Sequence, residues 1–440
     1  MNAFLLQLEL CGIKNIEKPV SFQFGRKTLP RGWDPSDYRV KGIYGENGSG
    51  KTAVITGIKI LRELIMNPRY LGEERTQVML HQLINKNTKC FEISAVFLFD
   101  NPNRRKEILQ YHICLRQKTW DGDYRIDQED CLVKTSLQSK GILLYRVRDG
   151  ILEESICQEQ DARVLEQATV NLLSQRAMVS FLFDLISKMK EQSFLVHLLE
   201  VFYFALVTRV YMNEEDRHEK FFLSRAMDSV LNIPKSTAMD WRSAMESVKE
   251  QIHGSVLEET IARDQFEEYE KRIHRLESFL KIFKPDLKRI WIDRKEDGKI
   301  YHCSLNLDYG EYSINEEFES TGIKKLMWLF DGFDAAGSGE IVFIDELDSN
   351  INDVYLCKLI EYITTYGKGQ LCFTAHNLSP MRVLRESKRS IDFLTSDNRV
   401  IPWTKNGNFT PENQYRNGMI EGCPLNVEAS DFIGILGRED

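Results

Sequence analysis

Apolar and polar positions alternate over residues 4–16 and again over 20–24, a period-two pattern that predicts two strands joined by a short turn. Residues 91–99 and 109–116 alternate likewise on either side of Asp100-Asn101-Pro102-Asn103, a turn signal, and 131–137 and 141–148 continue the strand character. Between these runs, Val40–Tyr44 reads as a buried strand. After it, Val54, Ile55, Ile58, Leu61, Leu64 and Ile65 have the spacing of a helix packed on a sheet. From 159 to 285 the pattern turns helical, broken mainly at Asn232-Ile233-Pro234 and Gly254. One stripe, from Leu257 and Ile261 through Tyr269, Ile273, Leu276 and Leu280 to Phe283, predicts a helix of about 40 Å at 1.5 Å per residue. Strand character returns over 289–293 and 300–307. Two apolar runs, Ile341–Ile344 and Gln370–Phe373, then read as buried strands of a parallel sheet. The pattern divides the chain into a β-rich region 1–158, a helical insertion 159–285 and a second α/β region 286–440.

Composition narrows the class. A chain of 440 residues has room for two or three domains, or for one large α/β domain with an insertion. A net charge of −8 argues against a broad nucleic-acid-binding surface. Nine scattered cysteines with no C-x-x-C pair suit reduced thiols better than a disulfide framework or a zinc site. The first residues alternate like a strand and lack the plan of a signal peptide, so a cytoplasmic location is expected. The segment 194–211 is strongly apolar, but His197, Glu200 and Arg209 interrupt it. It is expected to be a buried or partner-facing helix that does not span a membrane.

Candidate chemistry begins at Gly45-Glu46-Asn47-Gly48-Ser49-Gly50-Lys51-Thr52, a G-x-x-x-x-G-K-T loop between predicted strand and helix. Glycines let backbone N–H groups turn inward around phosphates, and Lys51 reaches the β- and γ-phosphates. Thr52 offers a hydroxyl to Mg²⁺, and the helix N-terminus adds its positive dipole. Asn47, Gly48, Ser49 and Gly50 are therefore expected to hold ATP together with Lys51 and Thr52. The strand Ile341–Ile344 ends in Asp345 and Glu346; there Asp345 is expected to hold Mg²⁺ and Glu346 to orient or deprotonate water. A further strand ends in Thr374-Ala375-His376, where His376 suits a polar contact to the γ-phosphate.

In this order the motifs resemble the ABC-type ATPase heads of the SMC, RecF and OLD-like group, and within it the stand-alone bacterial AAA-15 proteins of anti-phage defence. The resemblance covers 1–150 and 285–425. It implies an α/β P-loop ATPase head, two β-rich lobes around a mixed sheet with a helical insertion. It identifies Ser320-Thr321-Gly322-Ile323-Lys324-Lys325 with the signature loop, so Ser320 and Gly322 would face a partner's nucleotide across a dimer. Thr321 departs from the Gly of transporter-type heads. Asp348 is identified with the D-loop, where Asn352-Asp353 replace the usual His-Pro, and His376 with the H-loop. Gln77 and Gln82 are candidates for the Q-loop. The family implies a homodimer or larger homo-oligomer with ATP and Mg²⁺, regulating a separately encoded effector, a nuclease or another toxin. No TOPRIM nuclease is expected within the short stretch from His376 to Asp440, which also has to hold the closing strands. Other expectations in play are a RecF-like DNA-repair ATPase, favoured if Lys324, Lys325, Arg382, Arg385, Lys388 and Arg389 form one basic face, and a nucleotide-stabilised scaffold with negligible turnover.

Overall fold

The computed structural model describes residues 2–25, 35–100, 106–119, 122–186, 188–190, 192–212, 255–257, 259–387, 389–405 and 409–421. The breaks expected at Asn232-Ile233-Pro234 and Gly254, and Lys388, lie outside these residues. The chain is mixed α/β. Its centre is a six-stranded sheet in the order β17-β16-β3-β15-β14-β9, made of β3 (Val40–Tyr44), β9 (Thr208–Tyr211), β14 (Ile341–Ile344), β15 (Gln370–Thr374), β16 (Ile391–Leu394) and β17 (Val400–Pro402). All neighbours are parallel except the β16–β17 pair at one edge.

Parallel strands buried on both faces need apolar residues at every position, and β14 has them. Ile341 and Phe343 enter one hydrophobic core, while Val342 and Ile344 enter the other. The first core lies between the central sheet and an antiparallel sheet of seven strands, β2-β1-β4-β5-β6-β7-β8. These strands are β1 (Asn2–Cys11), β2 (Val20–Gln23), β4 (Cys90–Asp100), β5 (Glu107–Gln117), β6 (Tyr124–Lys134), β7 (Ile142–Arg148) and β8 (Ile151–Ser155). Helix α1 (Lys51–Met66) fills the space between the two sheets and is buried on nearly every side. Helix α2 (Glu74–Leu83) borders the antiparallel sheet, and α3 (Glu159–Thr169) adds Leu165 to the same core.

Helix α4 (Gln192–Leu206) packs on α1 in the same layer. Phe204 stacks on Phe97 with ring centroids 4.4 Å apart, and Phe194 meets Tyr145 edge-on. The expectation that 194–211 faces a partner is corrected here. Its apolar residues run all round the helix because the helix is enclosed within the molecule's main core, and Thr208–Tyr211 leave it as an edge strand of the central sheet. Among the described residues, no helix is long and apolar enough to cross a membrane.

The second core covers the opposite face of the central sheet. It holds α5 (Phe266–Phe283), α6 (Thr321–Ser338) and α7 (Asp353–Tyr366), together with a four-stranded sheet. That sheet comprises β10 (Thr260–Ala262), β11 (Arg289–Asp297), β12 (Ile300–Asp308) and β13 (Ser313–Asn315). The predicted 40 Å helix is shorter than expected. Ile261 belongs to β10, paired with Tyr301 of β12, so the helix starts at Phe266.

Candidate functional site

Strands β3, β15 and β14 are adjacent and parallel, so their carboxyl ends share one edge of the sheet. Loops beyond that edge are where open α/β sheets hold ligands. The topology therefore brings together Gly45–Lys51 after β3, Asp345-Glu346 after β14 and His376 after β15, three segments distant in the chain.

The glycine loop joins β3 to α1. Gly50 caps α1 with φ of 105°, a conformation that side chains rarely adopt. Gly45 runs against β16, where a Cβ would lie 2.3 Å from the Leu394 carbonyl oxygen. Asn47 and Gly48 are exposed, whereas Ser49 is fully buried and its Oγ has no hydrogen-bond partner. The Lys51 Nζ donates to the carbonyls of Gly45 at 2.9 Å and Glu46 at 3.0 Å. Burial lowers the pKa of this amine, while Asp345, Asp348, Glu346 and Glu46 oppose the shift. Half-buried Thr52 occupies the first turn of α1.

The acidic pair is clamped by one threonine. Thr374 Oγ1 donates to Asp345 Oδ1 at 2.5 Å and accepts from the Glu346 N–H at 2.8 Å. Asp345 is buried, and its N–H donates to the Tyr211 carbonyl of β9. Glu346 has φ of 48°, uncommon outside glycine, and Lys325 of α6 donates to its carbonyl at 3.4 Å.

Asp348 and His376 belong to one loop cluster. Asp348 Oδ2 accepts from the N–H groups of His376 at 2.9 Å and Asn377 at 2.6 Å, which leaves the His376 side chain exposed. Ser320 is the N-cap of α6, with its Oγ accepting from the Ile323 N–H at a long 3.4 Å. Gly322 lies near the Asn350 carbonyl. Ser320 and Gly322 are thus placed beside the loop after β14, and none of the described hydrogen bonds joins them to the glycine loop of the same chain. Of the glutamines, Gln77 is buried and committed to backbone, donating to Leu71 and Tyr124 carbonyls and accepting from the Tyr124 N–H. Gln82 is exposed on α2.

Two residues escaped the sequence reading. The loop after β1 reaches the glycine loop: Asn15 Nδ2 donates to the Gly48 carbonyl, and Ile16 packs on Gly50. Beside it, Lys14 has φ of 49°; burial depresses its amine and the Asp345 charge partly offsets this. A Lys-Asn pair in a turn has no periodicity to mark it, and only the contact across more than thirty positions reveals its place.

No protein-family model matches this chain, and no curated protein matches it. Among solved structures, it is similar to an Smc head domain with an extended coiled coil, bound to the C-terminal domain of ScpA, from Pyrococcus furiosus. That pair shares 15% identity over 91% of this chain and 96% of the other, with a TM-score of 0.41. A second, an SmcHead bound to the C-winged helix domain of ScpA, shares 14% identity over 91% and 98%, with a TM-score of 0.43. At this degree of similarity the chemistry has to be read from the residues themselves.

Proposed function

We propose that this chain binds and hydrolyses ATP with Mg²⁺, assembles head-to-tail around the nucleotide, and acts as the sensor or regulator of a separate effector in bacterial anti-phage defence. One observation carries the catalytic part: a buried lysine at the root of the glycine loop after β3, within the charge influence of Asp345, Glu346 and Asp348, which follow β14 one strand beyond β15 at the same edge of the sheet. The residues fit the ligand. Ser49 presents a buried hydroxyl with no partner inside the loop, and Lys51 rests on carbonyls that it can exchange for phosphate oxygens. Bound Mg²⁺ and ATP would supply the phosphoanhydride and the cation that offsets its charge. The N–H groups of Asn47 to Gly50 and the Lys51 amine would hold the phosphates, with Thr52 and Asp345 on the cation. Glu346 would orient the attacking water, held by Thr374 and Lys325, and His376 would border the γ-phosphate.

Ser320 and Gly322 stand at the exposed start of α6, which suits contact with a second copy's nucleotide. Nucleotide-driven assembly controls an effector only if the two arrangements bind ATP with different affinity. The defence role is supported by the resemblance to AAA-15 proteins. The DNA-repair reading is less favoured, because two of the cations it calls on are offset by acids and others are engaged with neutral groups. Arg382 is paired with Glu412, Arg385 with Glu386 and Arg389 with Gln23, while Lys324 donates to the Glu317 carbonyl and Lys325 lies over Trp328.

The test separates binding from turnover. Lys51→Ala is expected to lose ATP binding in a nucleotide titration. Glu346→Gln is expected to keep it while phosphate release falls by about a hundredfold. Unchanged turnover in folded Glu346→Gln protein removes Glu346 from the mechanism.

A further inference from the structure

Two thiols and a carboxylate meet on one face of the antiparallel sheet, with a third thiol on the same face of the adjoining strand. Cys11 of β1 stands opposite Glu92 of β4, and Glu92 stands opposite Cys114 of β5. Residues in register share a face, and so does Cys90, two positions from Glu92. This is the face turned from the main core, because the alternate residues Phe91, Ile93, Ile113 and Leu115 enter that core. Cys90 Sγ lies 3.2 Å from Cys114 Sγ and 3.6 Å from Glu92 Oε1, and Cys114 Sγ lies 4.0 Å from the same oxygen. Cys11 bonds the Glu92 backbone and feels the charges of Glu92 and Cys90.

The donor set has the dimensions of a small soft-metal site. Zinc binds thiolate at about 2.3 Å and carboxylate at about 2.0–2.2 Å, so a tetrahedron has S···S edges of about 3.8 Å and S···O edges of about 3.5 Å. The S···S separation of 3.2 Å is shorter than its edge and the S···O separations of 3.6 Å and 4.0 Å are longer than theirs, each by about 0.6 Å or less, a shift that side-chain rotation covers. Electrostatics agree. Burial, then Glu92, Cys90 and Glu9, push the Cys11 thiol up to about 12. Its hydrogen bond with Cys90 raises Cys114 and lowers Cys90. Such crowding of anionic groups is what a dication relieves, since a coordinating thiol is deprotonated outright. The neighbouring cation, Arg116, is itself committed to Asp127 at 2.9 Å. Cys11 and Glu92 are half-buried, which leaves a route in from solvent.

We propose that Cys90, Glu92 and Cys114 bind one thiophilic divalent cation of the zinc class, and that Cys11, on the same face opposite Glu92, turns its thiol in as the fourth donor when the cation binds. Its place in the fold makes it structural. Cys11 is followed directly by the loop that carries Lys14 and Asn15 to the glycine loop, and Gly12 abuts the Cys90 carbonyl so closely that a Cβ would lie 1.7 Å from its oxygen. A cation here would pin the root of that loop to β4 and β5.

The test uses the full chain, reduced and stripped with chelator, titrated with Co²⁺. One equivalent is expected to produce thiolate-to-cobalt charge-transfer absorption that Zn²⁺ abolishes by displacement. The double variant Cys90→Ser/Cys114→Ser is expected to lose the band, and Glu92→Gln, which keeps every thiol, to weaken binding at least about tenfold. Cys357→Ser, a half-buried cysteine on α7, is expected to keep it. Zn²⁺ should raise the melting temperature of the wild type and of Cys357→Ser, but not of the double variant. No stoichiometric band in the folded wild type, or a band that survives in the double variant, overturns the assignment. None of these readouts depends on nucleotide.

Discussion

Glu346 adopts a left-handed backbone conformation, and such outliers persist only where their surroundings hold them. Thr374 does this holding, since one hydroxyl binds both the Glu346 N–H and the Asp345 carboxylate. Thr374→Val removes that hydroxyl at nearly constant volume. It leaves a buried carboxylate oxygen and an N–H without their partner, a loss of about 1–3 kcal/mol. We expect a lower melting temperature, ATP affinity within a few fold of wild type, and hydrolysis reduced about tenfold or more. Calorimetric titration beside a phosphate-release assay measures both. Equal turnover in the variant would show that the clamp has no part in placing Glu346.

At the scale of elements, β1 shows how a single residue sets a face. Ala3 and Leu5 point into the main core, the pairing with β4 shifts between Leu5 and Gln7, and Leu8 and Leu10 then point the same way. The bulge reverses the parity of the alternation, and Phe4 and Leu6 fall into a small cluster on the outer face. Helix α4 makes a second case. Phe204→Ala should cost about 3–5 kcal/mol, because its ring stacks on Phe97 deep in the core. Phe202→Asp should unfold the chain in a denaturant titration, where an interface residue would have left the monomer's stability intact.

Between β5, β6 and β7, fully buried Glu129 accepts from Tyr111, Tyr145 and the Met178 N–H. Burial raises its pKa to about 7, against the pull of those donors. A carboxyl raised on folding holds its proton in the native state where the unfolded chain has lost it. Its contribution is therefore full below the ordinary carboxylate range and fades as pH rises through about 7. The melting temperature of the wild type should fall relative to that of Glu129→Gln between pH 5 and pH 8. Parallel curves would show that Glu129 does not titrate on unfolding.

At the scale of the molecule, the central sheet separates two cores, one with α1 and α4 and the other with α5, α6 and α7. The glycine loop leads into a helix of the first core, whereas Ser320 caps a helix of the second. If two copies share the nucleotide, Ser320→Arg should block assembly while each chain still binds ATP. Mixing Ser320→Arg with Lys51→Ala protein should then restore part of the turnover, since one site is rebuilt from intact halves. Light scattering and phosphate release on the mixture measure this. Mixed dimers with no recovered activity would count against the shared site.

The sequence by itself determined the local motifs. The glycine loop, the apolar run ending in two acids and the strand ending in Thr-Ala-His are contiguous, and their backbone needs are local. Strands β3, β14 and β15 and helix α1 were legible for the same reason, since uninterrupted apolar runs and helical spacing report burial directly. What only the tertiary structure decided is everything set by long-range pairing. Strand order placed β15 between the glycine loop and the acids. Enclosure between two sheets, rather than any partner, accounts for the apolar α4. Sheet register brought Cys90 and Cys114 within reach of Glu92, with Cys11 opposite it on the same face, although no spacing in the chain suggested a metal. Lys14 and Asn15 became part of the site by the same means. Periodicity encodes which side of an element is buried, but the element that covers it is chosen by the packing of the whole chain.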